Sequence, residues 1–303
     1  MWIPSASLKA IQTRSMQTKL RSMPSTKRRF ARYWPRRTLT CRLEVAGMRW
    51  LMILAGCLLL SAAMLSAQRI PAGTAVPVML NSTLDARKNR PGQEISARVM
   101  QNVLLPDGGR IPARSRVLGH ILQVSRPTST SGSRLVCKFD RILVRGHSVP
   151  LTAALRALAS MMDVYEAQMP TNAWADYGTS VSDWNTIQVG GDAVYRGSGQ
   201  VLADNRVVGS STIGGDVTAK LAAMPDRGCR GAIDGNDREQ ALWIFSTSAC
   251  GAYGFRDLQI VHAGRTDPIG EIWLQSSGNV HVRGGSGLLL RVESAREATS
   301  PAQ

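Results

Sequence analysis

The chain has 303 residues, 44% of them hydrophobic, enough to bury one large core or two modest ones, which excludes a wholly disordered protein. Its formal charge of +16 raises the question of nucleic acid, but 12 of the 37 Lys and Arg lie in residues 1–50 against the single acid Glu44. The other 25 basic and 20 acidic residues leave the remainder only mildly basic and without a basic run, so nucleic acid is not expected as a partner.

Residues 1–47 are rich in Arg, Lys, Ser and Thr and lack hydrophobic periodicity, so they read as a disordered basic extension or an over-extended gene start. Met48 itself opens an export signal over residues 48–67: MRWLMILAGCLLLSAAMLSAQ has a basic start, an apolar run from Trp50 to Leu65 and small residues, with cleavage expected between Ala67 and Gln68. Three alternatives stay open. One is an uncleaved anchor, another a twin-arginine signal on Arg36-Arg37, and the third a lipoprotein box at Leu54-Ala55-Gly56-Cys57. The run is at the short limit for spanning a bilayer, and an apolar stretch rather than a polar tether follows Cys57. The expected location is the periplasm, outer membrane or extracellular space, with membrane contact through the signal segment or by outer-membrane association.

Residues 68–155 show short strand patterns punctuated by Pro and Gly: Thr74 to Leu80, Glu94 to Leu104, Arg116 to Val124, Leu135 to Val144 and Val149 to Ala153. This is the rhythm of a β-barrel or sandwich of short antiparallel strands. Over residues 151–169 the spacing of Leu151, Leu155, Leu158, Met162, Tyr165 and Met169, stopped by Pro170, predicts one amphipathic helix. The rest of 156–225 is rich in Gly, Ser, Asp and Asn and reads as an irregular connection holding short strands such as Arg206 to Ser210. Residues 226–294 resume the strands at Leu242 to Ser246, Leu258 to His262, Glu271 to Leu274, Val280 to Arg283 and Leu288 to Val292, completing the same domain. A polar tail, 295–303, follows.

Once Cys41 and Cys57 are set aside, three cysteines remain. Cys137 alternates with Leu135 and Phe139 and reads as a buried thiol, while Cys229 and Cys250 are expected to form a disulfide. No catalytic or metal signature is present: there is no His-Glu-x-x-His, Cys-x-x-Cys, Gly-x-Ser-x-Gly or phosphate loop, and no cofactor is expected. His120, His147, His262 and His281 are scattered singly. A triad of His262, Ser246 and Asp257 can be drawn, although no spacing demands it. Asp234-Gly235-Asn236-Asp237 with Glu239 suggests calcium ligands, but Arg238 stands where a ligand should fall and the terminal Glu is missing. Trp174, Trp184 and Tyr195 are candidates for stacking on a sugar.

The motifs Gly73-Thr74, Pro91-Gly92, Asp107-Gly108, Ile111-Pro112 and Gly119 stand in the run from Ile70 to about Leu155. In this order the segment resembles the C-terminal domain of the TrbI-type family, the outer-membrane core component of conjugation and type IV secretion channels. The resemblance implies a β-barrel wall, with partners among envelope proteins or self-association into a ring. The family's proline-rich stretch has no counterpart here, so the reading is a stand-alone envelope protein: an exported, non-enzymatic scaffold or interaction module. A secreted glycan-binding module and a hydrolase with an unrecognised site are the alternatives.

Overall fold

The computed structural model describes residues 69–172, 178–225, 229, 233, 235–263 and 269–294. In chain order the strands are β1 (Ala75–Leu80), β2 (Leu84–Asp85), β3 (Glu94–Val99), β4 (Val103–Leu104), β5 (Arg110–Ile111), β6 (Arg116–Ser125), β7 (Ser133–Val144), β8 (His147–Pro150) and β9 (Ala153–Ala159). Helix α1 (Met161–Glu166) follows. Then come β10 (Asn185–Ile187), β11 (Ala193–Tyr195), β12 (Gly199–Ala203), β13 (Arg206–Ser211), β14 (Val217–Leu221), β15 (Asn236–Ala241), β16 (Gly251–Tyr253), β17 (Leu258–Ile260), β18 (Ile272–Ser276), β19 (His281–Val282) and β20 (Gly287–Val292). Among the described residues the chain is mainly β with one short α-helix.

Ten strands make the main sheet, in the order β16-β9-β20-β1-β3-β6-β7-β18-β17 with β8 on β7, so both ends of the chain contribute to it. All its pairs are antiparallel except β16 on β9. It does not close into a barrel, because no ladder joins β16 to β17. The chain leaves β16 through Gly254, where φ is +73° and the space a Cβ would need is taken by the side chains of Asp163 and Ser160, and runs on without pairing. Hairpins are set by local chemistry. Arg145-Gly146 and Asp204-Asn205 both take positive φ, the requirement of a two-residue turn whose twist matches its strands.

The second sheet is a six-stranded meander from β10 to β15, where the composition suggests an irregular connection. Its strands are polar outside, and only alternate residues such as Val194, Val201, Val217 and Ala219 are buried, so the apolar signal is thin. Two further corrections concern boundaries. Residues 153–159 form β9 rather than the start of a helix, because the strand is buried on both faces and every position is apolar except Arg156. A register shift opposite Leu289 and Leu290 at Arg156 gives the run its misleading helical spacing. Leu242 to Ser246 is a turn held by the Phe245 amide bonding the Leu242 carbonyl, and the polar run before it is the strand β15.

Two cores result. Inside the main sheet, Ile95, Ala97, Val99, Val117, Ile121, Phe139, Leu155 and Leu290 alternate inward and are buried. Each such large side chain contributes about 1.5–3 kcal/mol. The opposite faces of β1, β9 and β20, through Ala75, Ala157, Ala159 and Leu289, pack with Val164, Val194, Val201, Val217, Ile244 and Phe245. Polar clamps join the sheets across this second core. The Ala75 amide donates to Gln240 Oε1 at 2.7 Å, Gln101 Nε2 donates to the Val217 carbonyl at 2.9 Å, and Asn236 Nδ2 donates to the Gly73 carbonyl at 2.7 Å.

Arg156 is fully buried between the sheets. Its Nε donates to the Ala249 carbonyl at 3.0 Å, and one terminal nitrogen donates to the carbonyls of Ala222 at 2.8 Å and Thr247 at 3.4 Å. Burial, and then Arg291 nearby, push its pKa down to about 10, so it stays a cation at neutral pH. The planar fork bridges β14, the loop before β16 and β9.

Candidate functional site around helix α1

Helix α1 begins because Ser160 caps it: the Asp163 amide donates to Ser160 Oγ at 3.2 Å, and Ser160 Oγ donates to the Asp163 carboxylate. It is six residues long, and only Val164 and, just beyond it, Ala167 reach the second core. Its other side is open. Met162 is 56% and Tyr165 57% exposed, and Met161, Met169 and Ile187 on β10 are also exposed, giving a methionine-rich apolar surface.

A depression lies on each flank. The first is a groove of about 450 Å³ between α1 and the start of the second sheet, lined by Asp163, Glu166, Met169, Ile187, Gln188 and Tyr253 among others, with no Lys or Arg among the described residues of its wall. Gly190, at φ +108°, also lines it, and there a Cβ would fall 2.0 Å from Ser246 Oγ, so the groove floor needs glycine. Gln188 Nε2 donates to the carbonyls of Leu242 at 3.3 Å and Trp243 at 2.7 Å, which fixes the orientation of the amide. That leaves Gln188 Oε1 buried and without a partner. The spare capacity of this groove, Gln188 Oε1 and the exposed Glu166 carboxylate, accepts hydrogen bonds.

The second is a cavity of about 200 Å³ lined by Ser160, Met161, Met162, Phe255, His281, Arg283 and Ser286. His281 Nδ1 lies 3.3 Å from Asp85 Oδ2. Asp85 is buried, and it also accepts from Asn279 Nδ2 at 3.0 Å and from the Arg87 amide at 2.9 Å. Burial opposes its charge, but these hydrogen bonds and His281 outweigh it and hold the carboxyl below its ordinary value.

The residues singled out from sequence are distributed elsewhere. Cys229 and Cys250 stand at disulfide distance, with Cα atoms 5.4 Å apart. Ala67, Gln68 and Trp174 lie outside the described residues. Trp184 is half-buried and donates Nε1–H to Thr179 Oγ1 at 2.7 Å, whereas Tyr195 is exposed on β11 with its ring over Gly197. His262, Ser246 and Asp257 do not assemble. Asp257 Oδ2 accepts from Ser276, Ser277 and the Gly278 amide, Ser246 Oγ is buried without a partner, and His262 is exposed in a turn. Asp234 of the calcium-like run lies outside the described residues, and Asn236 is spent on Gly73 and on the Arg238 amide. Cys137 is buried, which pushes its thiol up to about 12 and leaves it inert.

Sequence reading passed over Asp85, Glu166, Gln188, Arg283 and Ser286. His281 was visible only as a lone histidine, because its partner Asp85 lies 196 positions away. The chain matches no protein-family model and none of the curated proteins.

Proposed function

We propose that this chain is an exported envelope protein whose β sheets serve as a scaffold for protein interaction, and that its interaction surface is the face around α1. The observation that carries the reading is the exposed Met161, Met162, Tyr165, Met169 and Ile187 beside a groove that offers the unspent acceptors Gln188 Oε1 and the Glu166 carboxylate. Long flexible methionines repack around varied apolar partners, and an acceptor-lined groove selects Lys or Arg. The occupant is therefore a segment of another envelope protein that alternates cationic and apolar side chains. Export, suggested by residues 48–67, and the disulfide pair support an envelope location.

The test is fluorescence anisotropy with a short labelled peptide of Lys and Leu and its counterpart with Glu for Lys. The Lys peptide is expected to bind. M162E and E166K are each expected to weaken it about tenfold, the loss of one contact of about 1.4 kcal/mol. Equal binding of both peptides, or no effect of either substitution, overturns the reading.

A further inference from the structure

The cavity on the other flank of α1 has the opposite polarity of unspent groups. Its nearby carboxylates are already engaged: Asp85 by Asn279, the Arg87 amide and His281, and Asp163 by the Ser160 hydroxyl. What remains free is donor capacity. Arg283 lines the cavity and makes no ion pair among the described residues, and Ser286, 1% exposed, has a buried Oγ with no hydrogen-bond partner at all. A buried unpartnered hydroxyl costs about 1–3 kcal/mol, so its presence in a cavity wall calls for a ligand.

His281 is oriented rather than free. With Nδ1 held by Asp85, the ring has only Nε2 to offer a ligand, and Asp85 fixes the plane of the imidazole. Apart from Gly254 and Ser160, whose hydroxyl is engaged with Asp163, the remaining wall is apolar, formed by Met161, Met162 and Phe255. Met161 also covers the floor: its Cγ and Sδ lie 3.2 and 3.5 Å from where a Cβ on Gly285 would stand, next to Ser286. The unbranched thioether can swing aside at small cost and uncover the Ser286 hydroxyl.

We infer that this cavity binds a small carboxylic acid with a short apolar chain, its carboxylate held by Arg283, Ser286 and His281 Nε2 and its hydrocarbon against Met161, Met162 and Phe255. The volume of about 200 Å³ admits a molecule of this size and not a folded peptide. Arg supplies the planar fork that a carboxylate accepts in two places. The cavity shares Met161 and Met162 with the peptide surface, but its polar groups, Arg283, Ser286 and His281, are distinct from Gln188 and Glu166 of the groove, so R283Q and S286A test it separately from E166K.

The experiment is titration of the full chain, labelled at methionine methyl groups, with hexanoate, hexanol and inorganic phosphate, followed by NMR. Hexanoate is expected to shift the methyls of Met161 and Met162 in a saturable way, hexanol to shift them only weakly, and R283Q and S286A each to weaken hexanoate at least fivefold. Phosphate binding as well as hexanoate would overturn the carboxylic-acid assignment in favour of a general anion site. Unshifted methyls, or R283Q binding as the parent does, would overturn the site altogether. R283Q changes an exposed side chain and leaves the fold intact, so its result does not depend on Ser286 being replaceable.

Discussion

Replacing Arg156 by Met keeps the length and apolar stem of the side chain and removes the planar donor fork. The carbonyls of Ala249, buried, and Ala222, part-buried, then lose this donor, while the Thr247 carbonyl keeps its bond from the Ala222 amide at 2.9 Å. An unpaired buried group costs about 1–3 kcal/mol, so two of them cost about 2–6 kcal/mol. Against this, the substitution relieves the burial of the cation. The depression of its pKa from 12.5 to about 10 corresponds to about 3 kcal/mol at 1.36 kcal/mol per unit. The net expectation is a destabilisation of about 1 kcal/mol, the middle of what remains. Urea unfolding followed by tryptophan fluorescence reads it as a lower midpoint at unchanged slope. For a folded unit of this size the melting temperature falls by about 2–4 °C. If R156M unfolds within about 0.5 kcal/mol of the parent, Arg156 does not clamp the second sheet to the first.

Other expectations follow from the same contacts. Breaking the Cys229–Cys250 pair with the C229S/C250S double variant releases a loop of 21 residues and lowers stability by about 3 kcal/mol, measured by denaturation without reductant; an unchanged midpoint would contradict it. Adding a methyl at Gly119 places it 2.0 Å from the Lys138 carbonyl where β6 and β7 shift register, so G119A destabilises by about 1–3 kcal/mol in the same assay. Asp85, held below its ordinary value, contributes stability that is present above about pH 4 and is lost as the pH falls through its folded-state value; D85N therefore differs from the parent at pH 7 and converges on it in acid. Asp192 has the opposite sign, because burial outweighs its hydrogen bond from the Thr247 amide and raises its carboxyl. D192N is accordingly expected to match or exceed parental stability at neutral pH and to lose that advantage below about pH 4, and a large loss at pH 7 would refute it.

What the sequence made legible was the part written locally. Strands β3, β6 and β7 were readable because their apolar residues alternate, and β1 and β20 as short apolar runs, all with turns that carry Gly, Pro or Asp within a few positions. Strand β9 was not, since a strand buried on both faces has no period of two, and Leu151, Leu155 and Leu158 then imitate a helix. The six-stranded meander was hidden for the opposite reason. Its outer positions, such as Thr218 and Lys220 on β14, are polar and its buried ones small, so composition suggested loop. The candidate site was the least legible. Gln188, Arg283 and Ser286 acquire meaning only through what is missing around them in three dimensions, namely a donor for one and acceptors for the other two. The short helix was visible, but its exposure depends on where the second sheet ends.

The measurement that bears most directly on the account is photo-cross-linking in intact cells from a reactive group placed at Tyr165, with the same group at the exposed Val207 on β13 as reference. The account predicts, from position 165 alone, a cross-link to an envelope protein, mapped by mass spectrometry to a segment that alternates Lys or Arg with apolar residues, on a chain beginning at Gln68. Cross-links to cytoplasmic proteins, or the same products from both positions, would contradict it.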